Sequence, residues 1–286
     1  MQKFFYPFLV FSAGACYGVL STFVKFAYDA GFNLSDVSGT QCLFGMLFLW
    51  MAVFFTGKGQ VTKRQVLSLL LSGIPMALTT IFYYHSLETL SASMAVVFLF
   101  QSIWMGSVAE ALISRKFPTP KKLISIILCL LGTALAAGLE DLGNFTFSSG
   151  MIWGLLSALA YTSIITLSSY LGKGLTPAMK GALLATGDTI LTFLLLPPVF
   201  LLTPGEWTAL LPYALVLGLF GVALPPFLLA WGMPHVGPGL GSILAASEMP
   251  VSLLLALLVL GESISPLQWA GILAILTGIV VGNRDI

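Results

Sequence analysis

Ten apolar runs, each about long enough to cross a bilayer, constrain this chain more than any other feature. They are Phe4–Tyr28, Asp36–Phe55, Arg64–His85, Ser91–Ile113, Pro120–Gly138, Ser148–Leu171, Thr176–Leu202, Thr208–Met233, Pro238–Gly261 and Pro266–Gly282. Roughly 20 mainly apolar residues in a helix span a hydrocarbon core of about 30 Å. Inside lipid the backbone must satisfy its own hydrogen bonds, so runs of this length are read as helices. Turn-forming residues separate them, among them Gly57-Lys58-Gly59, Pro118-Thr119-Pro120, Pro204-Gly205 and Gly237-Pro238. Composition agrees: 58% of the 286 residues are hydrophobic and 8% charged, too few charges to cover a soluble protein of this size. A soluble enzyme, a nucleic-acid binder and a disordered chain are excluded, and a net charge of +1 predicts no polyanionic partner. The expected fold class is an all-α polytopic membrane protein whose standing partner is membrane lipid.

Basic residues orient the bundle. With the N-terminus inside, eleven of the 12 Lys and Arg residues fall on cytoplasmic segments: Lys3, Lys58, Lys63, Arg64, Arg115, Lys116, Lys121, Lys122, Lys173, Lys180 and Arg284. The opposite loops collect Asp29, Asp36, Glu88, Glu140, Asp141, Glu206 and Glu262. That is the bias of the positive-inside rule, carried by short loops where the rule operates. Both termini are therefore expected in the cytoplasm. Lys25, four residues before Asp29, reads as a snorkelling side chain with a helical partner. Lys3 and Ala13-Gly14-Ala15 before Cys16 resemble a signal peptide, but the apolar run continues through Phe23-Val24 and reads as a retained first span. Asn33-Leu34-Ser35 and Asn144-Phe145-Thr146 match glycosylation sequons in outward loops too close to the membrane to be used.

The chain repeats itself at a spacing near 145 residues. Ala13-Gly14-Ala15-Cys16-Tyr17 aligns with Ser157-Ala158-Leu159-Ala160-Tyr161, Pro120 with Pro266, and Gly132 with Gly278. Each half carries five spans, an odd number, so the second must enter the membrane from the opposite side. Boundaries at 1–143 and 144–286 follow. Inverted repeats are the architecture of secondary transporters, whose substrate site lies near the midplane between the halves.

Ser247-Glu248-Met249-Pro250-Val251, Leu258-Val259-Leu260-Gly261-Glu262, Gln268-Trp269-Ala270-Gly271 and Gly278 closely resemble the last two helices of an EamA domain. A degenerate version runs from Ser91-Ala92-Ser93 through Phe100-Gln101 to Gly132-Thr133. The chain thus resembles a bacterial drug/metabolite transporter (DMT) superfamily member with two EamA repeats over essentially its whole length. That resemblance implies ten helices around a central cavity lined mainly by helices 1, 3, 4, 6, 8 and 9, and export as the direction. Arg115-Lys116 stands where the second repeat has Gly261-Glu262, which marks that position as a helix-end anchor rather than part of the site.

Ionisable side chains inside spans cost several kcal/mol and are functional candidates by default. Glu248 lies near the middle of span 9 and Asp188 near the middle of span 7, and both are candidates for proton coupling. Asp188 has a competing structural reading, bonded to Thr186, Thr189 or a neighbouring helix. Glu110, near a span end, is expected to pair with Arg115. No Lys or Arg occupies a span centre, which disfavours phosphorylated and other strongly anionic substrates. Tyr17, Tyr83, Tyr84, Gln101, Trp104 and Tyr161 join Glu248 as candidate substrate-binding residues, since rings can stack on a cationic or aromatic solute. Packing is the competing reading for each ring. Pro75, Pro225-Pro226 and Pro250 predict kinks, and Gly14-x-x-x-Gly18 and Gly150-x-x-x-Gly154 predict close helix contacts.

Cys16, Cys42 and Cys129 sit in apolar runs with no metal-ligand spacing, and His85 and His235 are far apart, so neither metal nor cofactor is expected. No phosphate-binding loop accompanies the spans, which sets aside nucleotide-driven transport. The expected function is secondary active transport, by alternating access, of small amino-acid-like or amine and organic-cation metabolites across a bacterial inner membrane. Protons are the expected coupling partner, no nucleic acid is involved and no oligomer is required. The alternatives are a channel, a structural membrane partner and, with Asp188 and Glu248 as its paired acids, a membrane-embedded enzyme.

Overall fold

The computed structural model describes residues 2–57, 59–87, 89–90, 92–137, 148–202, 206–259, 261 and 263–283. Ten helical segments among them are long and apolar enough to cross a membrane, at the expected places to within a few residues except that span 7 ends at Leu195 rather than Leu202. The first three spans are single helices, α1 (Gln2–Asp29), α2 (Leu34–Thr56) and α3 (Lys63–Leu87). The fourth is broken into α4 (Ala92–Leu99) and α5 (Ser102–Ser114), and the fifth is α6 (Pro120–Ala137). In the second half, α7 (Ser149–Tyr170) and α8 (Pro177–Leu195) are continuous. Span 8 passes from α9 (Glu206–Leu217) through a π segment (Gly218–Ala223) into α10 (Leu224–Val236). Span 9 is broken into α11 (Pro238–Ala245) and α12 (Glu248–Val259), and α13 (Pro266–Asn283) closes the fold. The expected repeat boundary at 143/144 and the sequon at Asn144 lie outside the described residues.

Local chemistry sets these ends. Asn33 is not a free sequon: its side chain accepts from the Asp36 N–H at 3.1 Å, and the Asp36 carboxylate accepts from the Asn33 N–H at 3.2 Å. This reciprocal cap starts α2 and draws Asp36 out of the loop into a buried first turn. Thr176 caps α8 by accepting from the Met179 N–H, with Pro177 at the first helical position.

Spans 4 and 5 share one offset with spans 9 and 10. Helices α4 and α11 begin at Ala92 and Pro238, and α6 and α13 at Pro120 and Pro266, 146 residues apart in both cases. Their packing is antiparallel. Ser125 donates to the Gly278 carbonyl at 2.6 Å and the Cys129 thiol points at the Ile275 carbonyl at 3.8 Å, while Gly132 lies against Gly271. Numbers rise on α6 as they fall on α13, so the second repeat is inverted. Glycine and serine let the backbones approach, the usual device where lipid offers no hydrophobic drive between helices.

The basic loops share one face of the bundle. Thr176 donates to the Gly57 carbonyl at 2.9 Å, and the Gln65 amide donates to the Lys173 carbonyl at 2.9 Å. Span ends expected on the opposite side also meet, with Ser35 donating to the Pro197 carbonyl at 3.1 Å.

Candidate functional site

An inverted repeat defines its own midplane. A position and its repeat equivalent approach each other only on the pseudo-twofold axis, and in such folds that axis lies in the membrane plane. Cys42 and Asp188, 146 apart, meet at 3.5 Å between thiol and carboxylate, and Cys129 and Ile275 form a second such pair. Tyr17 and Tyr161, the aligned tyrosines of spans 1 and 6, stack edge-on with ring centroids 6.2 Å apart. The axis therefore runs through Asp188 and between the two tyrosines.

Both broken helices break at equivalent residues. In span 4 the Gln101 N–H donates to the Phe98 carbonyl and Ile103 to Phe100. In span 9 Ser247 donates to Leu244 and Met249 to Ala246. These are tight i→i−3 bonds, one turn of 3₁₀ geometry, a form that often marks a hinge within a helix. Proline does not explain the pair. Pro250 follows the break in span 9, but the equivalent position in span 4 is Trp104, and α3 runs unbroken through Pro75. In span 8 the Pro225-Pro226 pair has no N–H to give Gly221 and Val222, and the helix widens to a π turn just before it.

Glu248 opens α12 at the break. Helix α1 packs directly on this segment, because a side chain at Gly14 would strike Ser247 and Ala245, and one at Gly18 would strike the Glu248 backbone. Ser247 holds the contact by donating to the Phe11 carbonyl at 2.7 Å. Close approach of α1 presents Tyr17, and Glu248 lies within Coulombic reach of Tyr17, Tyr83 and Tyr161. The Glu248 side chain is half-buried and has no hydrogen-bond partner among the described residues. Four of the expected site residues thus converge.

Asp188 is different. It is 3% exposed, accepts from Thr192 at 3.4 Å and faces the Cys42 thiol, while Thr189 donates to the Cys42 carbonyl at 3.2 Å. Thr186, expected as a partner, instead accepts from the Trp50 indole at 3.0 Å. A side chain at Gly73 would strike the Asp188 backbone, so α3 packs closely on α8 at this residue. Asp188 also lies within Coulombic reach of Tyr17.

Gln101 and Trp104 are committed to each other. The break leaves the Val97 carbonyl without its helical N–H, and the Gln101 amide donates to it at 3.1 Å while accepting from the Trp104 indole at 3.0 Å. Trp104 shares an exposed stripe with Val108 and Leu112, one face of α5 at helical spacing. That stripe faces lipid. Tyr84 has its side chain outside the described residues.

Two expectations require correction. Glu110 does not pair with Arg115, which caps α5 in a left-handed conformation at φ 55°. Its carboxylate takes the Lys122 ammonium and the Gly239 N–H, bringing a charge to the first turn of α11 where unpaired N–H groups favour it. Lys180, counted with the cytoplasmic segments, is not solvated. It lies in the first turns of α8, 5% exposed, and donates to the Ser168 carbonyl at 3.1 Å and the Ala230 carbonyl at 3.3 Å. Both acceptors lack helical donors: Ser168 is in the last turn of α7, and Pro234 has no N–H to give Ala230. A small cavity lined by Ser72, Leu167 and Pro226 adjoins it.

Known proteins decide the family. The description "EamA-like transporter family" matches residues 4–138 and again 148–284. The chain belongs to the EamA-like transporter family. Relatives carry the name transporter without a substrate. An Archaeoglobus fulgidus protein called "Uncharacterized transporter" is 26% identical over 279 residues, covering 94% of this chain and 92% of the relative. The Salmonella typhimurium "Uncharacterized inner membrane transporter YicL" is 28% identical, covering 78% and 75%. The Bacillus subtilis "Uncharacterized transporter YxxF" is 32% identical over 145 residues, 47% of this chain and 44% of the relative. A solved crystal structure shares the fold at TM-score 0.79 and 15% identity, covering 96% of this chain and 95% of its own. This EamA chain is a multi-pass membrane protein, and the two family matches coincide with the two five-helix repeats. Among the described residues no group of three His, Cys, Asp or Glu side chains is placed to hold a metal ion.

Proposed function

We propose that this EamA protein is a secondary active transporter of a bacterial inner membrane that exports small amino-acid-like or amine and cationic metabolites. Residues 1–143 and 144–286 form its two inverted halves, with both termini in the cytoplasm. The observation that carries the reading is the Glu248 carboxylate, unpartnered among the described residues at the helix break on which α1 packs, and within Coulombic reach of Tyr17, Tyr83 and Tyr161. A carboxylate left without donors in an apolar setting is costly, and a cationic solute relieves that cost by charge and by ring contact. Asp188, sealed between α2 and α8 and sharing Tyr17 with Glu248, is suited to hold a proton rather than to touch solute. The equivalent breaks in spans 4 and 9 supply the flexible points for alternating access. One chain encloses the site, so a monomer suffices, with no cofactor and with protons as the coupling partner.

The test is flux in proteoliposomes under an imposed pH gradient, with labelled amines, amino acids and organic cations. Saturable uptake that collapses with the gradient is expected for the wild type. Glu248→Gln is expected to lose uptake, and Asp188→Asn to retain solute binding while losing the response to the gradient. Full gradient-driven activity in Glu248→Gln would overturn the assignment, and flux without saturation would make the protein a channel.

A further inference from the structure

The charges around Glu248 select within the solute classes just named, and the selection rests on that transport reading. Both acids lie within Coulombic reach of Tyr17, so the surroundings of that ring are negative. Among the described residues a single Lys or Arg is buried, Lys180, and two of its three N–H groups are held by the Ser168 and Ala230 carbonyls. Ser168 is seven residues beyond Tyr161 on α7, two turns or roughly 10 Å along the helix. An α-amino acid bears its ammonium and carboxylate on one carbon, so a solute whose ammonium meets Glu248 cannot reach Lys180 with its carboxylate.

The backbone of the break offers little in its place. Half-helix N-termini bind carboxylates in many carriers through free N–H groups. Here the N–H groups of Ala246, Ser247, Met249 and Val251 are all bonded within the break, and Pro250 has none. A zwitterion would therefore place its carboxylate beside an acid with no cation near it, at a break where the Ala246, Ser247, Met249 and Val251 N–H groups are already bonded. A cation without a carboxylate meets the opposite situation: charge pairing with Glu248 and three tyrosine rings for its apolar body.

We infer that this site takes organic amines lacking a carboxylate, of arylalkyl type, and rejects the corresponding amino acids. Matched pairs isolate the carboxylate: tryptamine against tryptophan, tyramine against tyrosine, and phenethylamine against phenylalanine. Binding is measured by calorimetry on the full chain in detergent, and transport by flux in proteoliposomes. The amine of each pair is expected to bind at least about a hundredfold tighter, the discrimination set by leaving a buried charge unpaired. Glu248→Gln is expected to abolish that preference, and Glu248→Asp to keep its direction. Because the pairs are compared on the wild-type chain, the result does not depend on a variant folding. Amino acids bound or moved as well as their amines would overturn this inference and leave the carrier reading intact. If no member of any pair bound or moved, the cation site at Glu248 would be wrong and this inference would fall with it.

Discussion

Replacing Lys180 with methionine removes a buried ammonium while keeping the unbranched stem that packs over Gly172. Two carbonyls, those of Ser168 and Ala230, then lose their donor. Each buried carbonyl left unpaired costs about 1–2 kcal/mol, and the loss of an ammonium that was costly to bury offsets part of that sum. The single variant mixes these effects, but a cycle with Pro234→Ala separates them. Alanine at 234 restores the helical N–H that Ala230 lacks, so in that background Lys180→Met orphans one carbonyl instead of two. The desolvation effect is common to both arms and cancels. Lys180→Met is therefore expected to be less damaging in the Pro234→Ala background by about 1–2 kcal/mol, close to the largest hydrogen-bond couplings within membranes. Equilibrium unfolding of the four proteins in mixed micelles with increasing SDS reads the coupling directly. Additive effects would refute the argument, because Lys180 would then not serve the carbonyl that Pro234 frees.

Two further outcomes follow from packing. Gly187→Ala pushes a methyl group into the Leu70 carbonyl where α3 meets α8, and rigid backbone cannot yield as a side chain would. It is expected to destabilise by about 2–4 kcal/mol in the same unfolding assay, and a neutral effect would show that the two helices are not in this close contact. Gln101→Leu leaves the Val97 carbonyl and the Trp104 indole unpaired, so it is expected to cost about 1 kcal/mol of stability while leaving KM unchanged. A raised KM at unchanged stability would return Gln101 to the solute site.

Seven expected site residues had different fates for a physical reason. Tyr17, Tyr83 and Tyr161 lie within Coulombic reach of Glu248, and α1 and α7 both pack against the span 9 segment. Trp104 reads identically in the sequence, an aromatic side chain within an apolar span, yet it faces lipid. Tyr84 lies outside the described side chains. In a soluble helix polar residues would mark the outer face, but a span in lipid is apolar all round and leaves its inner face unmarked.

What the chain determined by itself is what depends on neighbours along it. Span length follows from runs of apolar residues, relative sidedness from the charges of short loops, and inversion from an odd number of spans per repeat. The approximate repeat offset was legible too, but not the Cys42–Asp188 contact. Tertiary structure alone decided which polar groups are spent and which are open. Lys180 and Glu110 are used up on carbonyls and a helix N-terminus contributed by distant segments, while Glu248 is left without a partner. A hydrogen bond between helices depends on their rotation and register, and those are set by packing across more than a hundred residues of chain.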